Sequence, residues 1–377
     1  MKLRSWFLIV SVVLVLGVVT VTVGASGPAG SGLYRLVGLV GQTVALVRSS
    51  YVEEVSIPQV EQGALAGMVE TVDPGGAYVP ETEAKAFERI TARELPPYGL
   101  VLGKRSSYPL VLQTLPDSPA ATAGLLPGEL LERVGGVAVR ARPVWRALVL
   151  LDEAEQAERD VDVVVIDRQL SGTRTVRLKA AQVRSAGPTV EVREGVPVVR
   201  IGAVRRENVA ALRVQLDAQQ DAAAVVVDLR SLALGDETAA AEVAALLVGG
   251  RIEMKLARRE GEGGTLTAEA QPRSWRVVAC VDYTTARAGE LVAVLLKARG
   301  VPLVGFETYG DTGVRNAYRT SEGRVWLAEE WALGPDSKPL LGNGLKPDEV
   351  VRMRPDADPV LDRALELARG ATAKKAA

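Results

Sequence analysis

The chain has 377 residues, 47% of them hydrophobic and 24% charged, and its 45 basic and 46 acidic side chains leave a net charge of −1. This is material for two or three ordinary globular domains, and it carries no electrostatic footprint for nucleic acid or any strongly charged partner. With no histidine and a single cysteine, Cys280, there can be no His-based triad, no Cys/His metal cluster and no internal disulfide; no metal or cofactor is expected.

Lys2 and Arg4 precede an uncharged stretch, Trp6–Ala25, followed by the spacer SGPAGSG. About 20 residues at 1.5 Å each span a bilayer of ~30 Å, so the stretch predicts a membrane anchor. Positive charges on its N-terminal side place the bulk of the chain outside the cytoplasm, in the periplasm or an equivalent extracytoplasmic space. Gly24, Ala25 and Ser26 are also the small residues of a cleavage site, and cleavage there would release a secreted protein. Residues 33–55 have apolar positions at helical spacing. A second helix follows in IPQVEQGALAGMVETVD, with Pro58 at its start and Asp73-Pro74-Gly75-Gly76 at its end, and a short third in 80–90.

From Pro96 the pattern changes to five strand candidates, YGLVLG, YPLVLQTL, GELLERVGGVAV, DVDVVVIDR and TRTVRLKA. Two helices interrupt them, a short one in DSPAATAGLLPGE and an amphipathic one over 142–155. Beyond residue 183 strands and helices alternate: VPVVRIGAV, RENVAALRVQLDAQQ, AAAVVVDLR, DETAAAEVAALLVGG, WRVVACVD, GELVAVLLKARG, VPLVGFETYG. Alternation of this kind predicts an α/β layer with parallel strands. REGEGG (259–264) reads as a solvated loop joining two later strands, Cys280 as a small buried hydrophobe in a strand, and ATAKKAA as a disordered tail.

Four stretches, in order, resemble the carboxyl-terminal processing peptidases, or tail-specific proteases. They are the helical signature ending in Asp73-Pro74-x-x-x-Tyr78, the run from YGLVLG through DSPAATAGLLPGELLERVGGVAV, the segment AAAVVVDLRSLALGDETAAAEVAALLV, and GNGLKPDEVV (342–351). The resemblance implies an α/β protein of α+β multidomain build, in five parts. These are an anchor and spacer (1–31), a helical N-terminal region (32–95), a PDZ module of β-sandwich or barrel-like form (96–182), an α/β crotonase-like (ClpP-like) protease core (183–356), and a C-terminal helix with the tail (357–377).

The family cleaves peptide bonds with a serine and a lysine, so the lack of histidine is no obstacle. Yet neither residue stands where the family's pattern puts it. Aligning the nucleophile segment on Glu290 puts Arg287 at the serine, with Ala286 the alternative if one residue is missing between segments. TYGDTGVR (308–315) corresponds to Phe-Gly-Lys-Gly-x-x-Gln, which puts Asp311 at the lysine and Arg315 at the glutamine. Ser231-Leu232-Ala233-Leu234-Gly235 replaces the oxyanion loop and keeps one glycine, Gly235, of the family's pair. If the segments still meet, Arg287 faces Asp311 as an ion pair. Thr284 and Thr285 are the remaining hydroxyls of the turn. Lys297, about two helical turns further on, is too distant to serve them, and they read as helix caps.

The resemblance assigns peptide binding to the PDZ loop Tyr98, Gly99, Leu100, Val101, Leu102 and Gly103, whose N–H groups would receive a free carboxylate while the peptide adds as a strand. Trp145, Leu148 and Leu151 would line the opposite wall. The expectation is therefore a membrane-anchored pseudoprotease of the cell envelope that binds peptide or protein C-termini and partners an active homologue. The alternative is a working serine-type endopeptidase with a displaced nucleophile.

Overall fold

The computed structural model describes residues 28–185, 187–334, 337–352 and 357–370. The expected anchor (6–25) and the tail (371–377) lie outside them. No helix among the described residues is long and apolar enough to cross a membrane. The chain divides into two compact units, before and after residue 65. In the first runs helix α1 (Pro28–Ser50), on which Tyr34, Val37, Leu39 and Leu46 are exposed. Helix α2 (Ile57–Val72) begins in the first unit and ends in the second.

The second unit opens with strand β1 (Ala77–Pro80) and helix α3 (Ala84–Thr91). The expected helix over 80–90 thus starts later, after a single turn of 3₁₀ helix at Glu81–Glu83. AYVP is strand because it pairs antiparallel with residues 323–326, a partner 243 to 249 positions away that no local pattern reveals.

Next comes a module of strands β2 (Leu100–Arg105), β3 (Tyr108–Thr114), β4 (Leu130–Val134), β5 (Val137–Ala138), β6 (Val161–Ile166) and β7 (Thr173–Leu178). Helices α4 (Pro119–Thr122) and α5 (Val144–Gln156) complete it. The sheet order is β2-β3-β4-β6-β7, so β2 is an end strand. Helix α5 turns Ala147, Leu151 and Ala154 into the core at i, i+4 and i+7. Leu151 therefore fills the module's interior rather than a groove, while Val144 and Leu148 lie on the adjoining side. The arrangement is consistent with the expected PDZ module.

The remaining elements are β8 (Thr189–Arg193), β9 (Val196–Arg200), α6 (Arg206–Asp217), β10 (Ala224–Asp228), α7 (Glu237–Val248), β11 (Gly250–Lys255), β12 (Ala257–Arg258), β13 (Thr265–Ala270), β14 (Arg276–Val281), α8 (Arg287–Ala298), β15 (Leu303–Gly305), β16 (Val314–Arg319), β17 (Gly323–Trp331), β18 (Glu349–Val350) and α9 (Pro359–Ala368). The main sheet runs β18-β15-β14-β10-β9-β8 and is parallel except for the β8–β9 hairpin. Successive side chains of a strand face opposite ways. Val225 and Val227 accordingly pack with α6, α7 and α8, while Val226, Val278 and Cys280 pack with Val360, Leu361 and Leu365 of α9. Asp236 starts α7 by accepting the Ala239 N–H at 2.8 Å. REGEGG joins β12 to β13, and β13 pairs back on β11.

Because β10, β14 and β15 are parallel neighbours, the segments leaving their carboxyl ends emerge along one edge of the sheet, where α/β proteins place their sites. Those segments are 229–236, 282–286 and 306–313.

Candidate functional site

The turn after β14 carries the residue expected at the nucleophile position. Arg287 has φ +49°, the left-handed region, and Ala286 before it is extended at φ −145°. A non-glycine residue with positive φ between a strand and a helix is the backbone form of a nucleophile elbow, and it is Arg287, not Ala286, that occupies it. The threonines do not cap the helix. Thr285 Oγ1 donates to the Leu229 carbonyl at 3.0 Å. Thr284 Oγ1 donates to Asp282 Oδ1 at 2.6 Å and accepts the Ser231 N–H at 3.0 Å. Both are buried and brace the turn against the 229–231 loop. Lys297 is engaged elsewhere, by Asp348 and the Lys346 carbonyl.

Arg287 and Asp311 meet: Nε lies 3.3 Å from Oδ2. The pair is one link in a chain of alternating charge. Asp311 Oδ1 also receives Arg315 Nη2 at 2.6 Å, and Arg315 spans on to Asp73 with Nε–Oδ2 2.9 Å and Nη2–Oδ1 2.7 Å. Asp73 further accepts the Ala328 and Gly75 N–H groups at 2.8 and 3.0 Å. Burial alone would raise the Asp311 carboxyl, but the guanidiniums of Arg315 and Arg287 hold it below the usual carboxylate range. Behind the chain, fully buried Glu290 of α8 accepts the Gly310 N–H at 2.9 Å, the Asp311 N–H at 2.7 Å and the Thr308 hydroxyl. Burial pushes Glu290 up to about 7 against the pull of those three donors.

The oxyanion loop is closed from the module side. Gln113 Oε1, on β3, accepts the Ala233 and Leu234 N–H groups at 2.9 and 2.8 Å, and its Nε2 donates to the Gly202 carbonyl at 2.6 Å. A side-chain carbonyl thus takes up two N–H groups of this loop. Gly235 is required for packing, since a Cβ there would lie 2.2 Å from the Val204 carbonyl oxygen. Gln113→Ala should strand the two amides and cost about 2–3 kcal/mol, read as a lower Tm; an unchanged Tm would show that the clamp is dispensable.

A cavity of about 540 Å³ joins the chain of charges to the module, lined by Leu100, Leu102, Val144 and Leu148 on one side and Leu234, Arg287 and Asp311 on the other. Trp145 reaches it too but is 6% exposed, packed edge-on to Phe87 at 5.7 Å. Of the expected carboxylate loop, Leu100 to Gly103 line the cavity. Tyr98 is buried, its N–H given to Glu155 Oε1 at 2.8 Å, and the Gly99 N–H goes to the Pro96 carbonyl at 3.0 Å. Among the residues lining the cavity the one amine is Lys104, ion-paired to Glu70, and the aliphatic hydroxyl is Thr91, bonded to its own helix. The arrangement can hold a chain end or a carbonyl by charge and shape; the residues that line the cavity pair no hydroxyl with a base.

Asp73, Gln113 and Tyr309 are site residues to which the sequence reading gave no role. Gln113 had a signal, a lone polar residue inside the apolar run YPLVLQTL.

The comparisons with known proteins agree on the lineage. Residues 196–351 match the family model for Peptidase family S41. The chain is 21% identical to a probable CtpA-like serine protease of Staphylococcus haemolyticus (strain JCSC1435) over 371 residues, 93% of this chain and 73% of that protein. It is 22% identical to the carboxy-terminal processing protease CtpA of Bacillus subtilis (strain 168) over 309 residues, 80% of this chain and 66% of that protein. Among solved structures, the photosystem II D1 C-terminal processing protease superposes with a TM-score of 0.65 at 22% identity, covering 86% of this chain and 89% of its own.

Proposed function

Since the chain belongs to the carboxyl-terminal processing peptidase family, yet carries a guanidinium at the elbow, we propose that it is a non-catalytic member that binds the C-termini of peptides or proteins. The observation that carries the reading is the unbroken sequence Arg287–Asp311–Arg315–Asp73. Serine–lysine catalysis needs a hydroxyl within about 3 Å of an amine able to take its proton. Here the corresponding space is filled by charges that neutralise one another, and two N–H groups of the 231–235 loop are held by Gln113. What survives is the cavity beside β2, with Arg287 among its lining residues.

On this reading the protein works outside the cytoplasm, tethered by the apolar stretch 6–25 behind Lys2 and Arg4, and offers captured chain ends to an active relative. The full chain should not cleave an unfolded protein with an apolar C-terminus. It should bind a peptide carrying a free carboxylate and not the matching amide. Turnover that disappears in Thr285→Ala would defeat the proposal, as would equal binding of acid and amide.

A further inference from the structure

We propose that Tyr309 and Arg287 form a latch that decides which chain ends the module accepts, by occupying the open edge of β2 where an added peptide strand would pair. The proposal rests on the module's being a binder of C-termini. As the end strand of its sheet, β2 has one edge on β3 and the other turned to the core. A peptide joining a sheet edge pairs through main-chain groups two residues apart. On β2 those groups are already used. The Tyr309 hydroxyl accepts the Lys104 N–H at 2.6 Å and donates to the Lys104 carbonyl at 2.8 Å, so one hydroxyl serves both groups as a peptide residue would. Two residues back, Arg287 Nη2 donates to the Leu102 carbonyl at 2.9 Å. Gly103 between them permits the approach, for a Cβ there would fall 2.8 Å from the Tyr309 hydroxyl oxygen.

The latch has chemical consequences for the ligand. A chain end that pairs with Leu102 and Lys104 must displace both side chains, whereas one reaching no further than Leu100 need not. Arg287 also holds Asp311, so the side chain at the relic nucleophile position is the one that must let go. The edge is closed by the site that lost its chemistry.

The test uses a dye-labelled hexapeptide ending in Val-Leu-Val with a free carboxylate, and its amide, titrated by fluorescence anisotropy into the full chain, Tyr309→Phe, and Tyr309→Phe with Arg287→Ala. Hydrogen exchange of the Lys104 amide is followed in parallel. Three backbone groups are freed together, so the double variant should bind the acid at least tenfold tighter than the native chain. The Lys104 amide should exchange severalfold faster once the hydroxyl is removed. If the peptide binds but affinity and Lys104 exchange are unchanged by the substitutions, the latch is overturned and the binding role stands. If Lys104 is released yet no variant binds the acid, the binding role fails and takes the latch with it.

Discussion

Replacing Arg315 with methionine is expected to lower stability by about 3–5 kcal/mol, the usual cost of removing one partner from a buried ionic group. For a unit of this size that corresponds to a Tm drop on the order of 10 °C. Arg315 is the central cation of the chain, 9% exposed, between Asp73 at 3% and Asp311 at 4%. Methionine keeps much of the volume but leaves two buried carboxylates facing each other, with Asp73 reduced to backbone partners. Arg287→Met is the matched control. Its side chain is 42% exposed and Asp311 keeps Arg315 when it is lost, so the cost should stay below about 1 kcal/mol. The Arg315→Met deficit should narrow on acidification, because Asp311 is then no longer held low by its nearest guanidinium and takes up a proton more readily. Equal destabilisation by the two substitutions would show that the chain of charges is not the structural element described above.

Much of the fold was legible because it rests on local periodicity. Runs such as VVACV and AAAVVVD are apolar on both faces, as a parallel strand between two helical layers must be, and both lie in the middle of the main sheet. The N-terminal proline of α2 marked a helix start in the same local way. Strand β1 was not legible, since its only reason to be extended is β17. The site divides along the same line. Arg287, Asp311 and Arg315 stood out because they replace residues of known type at fixed offsets from Glu290 and Gly310. Their union through Asp73 could not be read, because helix α2, which delivers Asp73, is separated from Arg315 by 242 positions. Tyr309 differs from the expected phenylalanine by one hydroxyl, and only the position of Lys104 gives that atom a purpose.

Glu290 gives the site a pH dependence whose sign can be fixed in advance. Its carboxyl is raised from 4.5 to about 7 by complete burial, so between those values the folded chain keeps a proton that the unfolded chain has released. Its contribution is therefore fully present below 4.5 and is lost as pH rises through about 7, worth about 3 kcal/mol at 1.36 kcal/mol per unit. Asp311 runs the other way: its lowered value adds stability above the ordinary aspartate range that disappears only as pH falls through the folded-state value. Across pH 5–8 the slope then belongs to Glu290 rather than Asp311. Asp282, also raised by burial, is shared by any variant at 290 and cancels in the comparison. In Glu290→Gln the titration is gone, and the amide puts a non-accepting NH2 where the hydroxyl oxygen of the protonated carboxyl can still accept from Gly310, Asp311 or Thr308. The variant should be less stable than the native chain at pH 5, by about 1–3 kcal/mol for the lost acceptor. By pH 8 the gap should have shrunk by about 3 kcal/mol, enough to close or reverse it. Denaturant unfolding of both proteins at the two pH values measures this directly, and a gap that stays constant would mean that Glu290 remains ionised in its pocket.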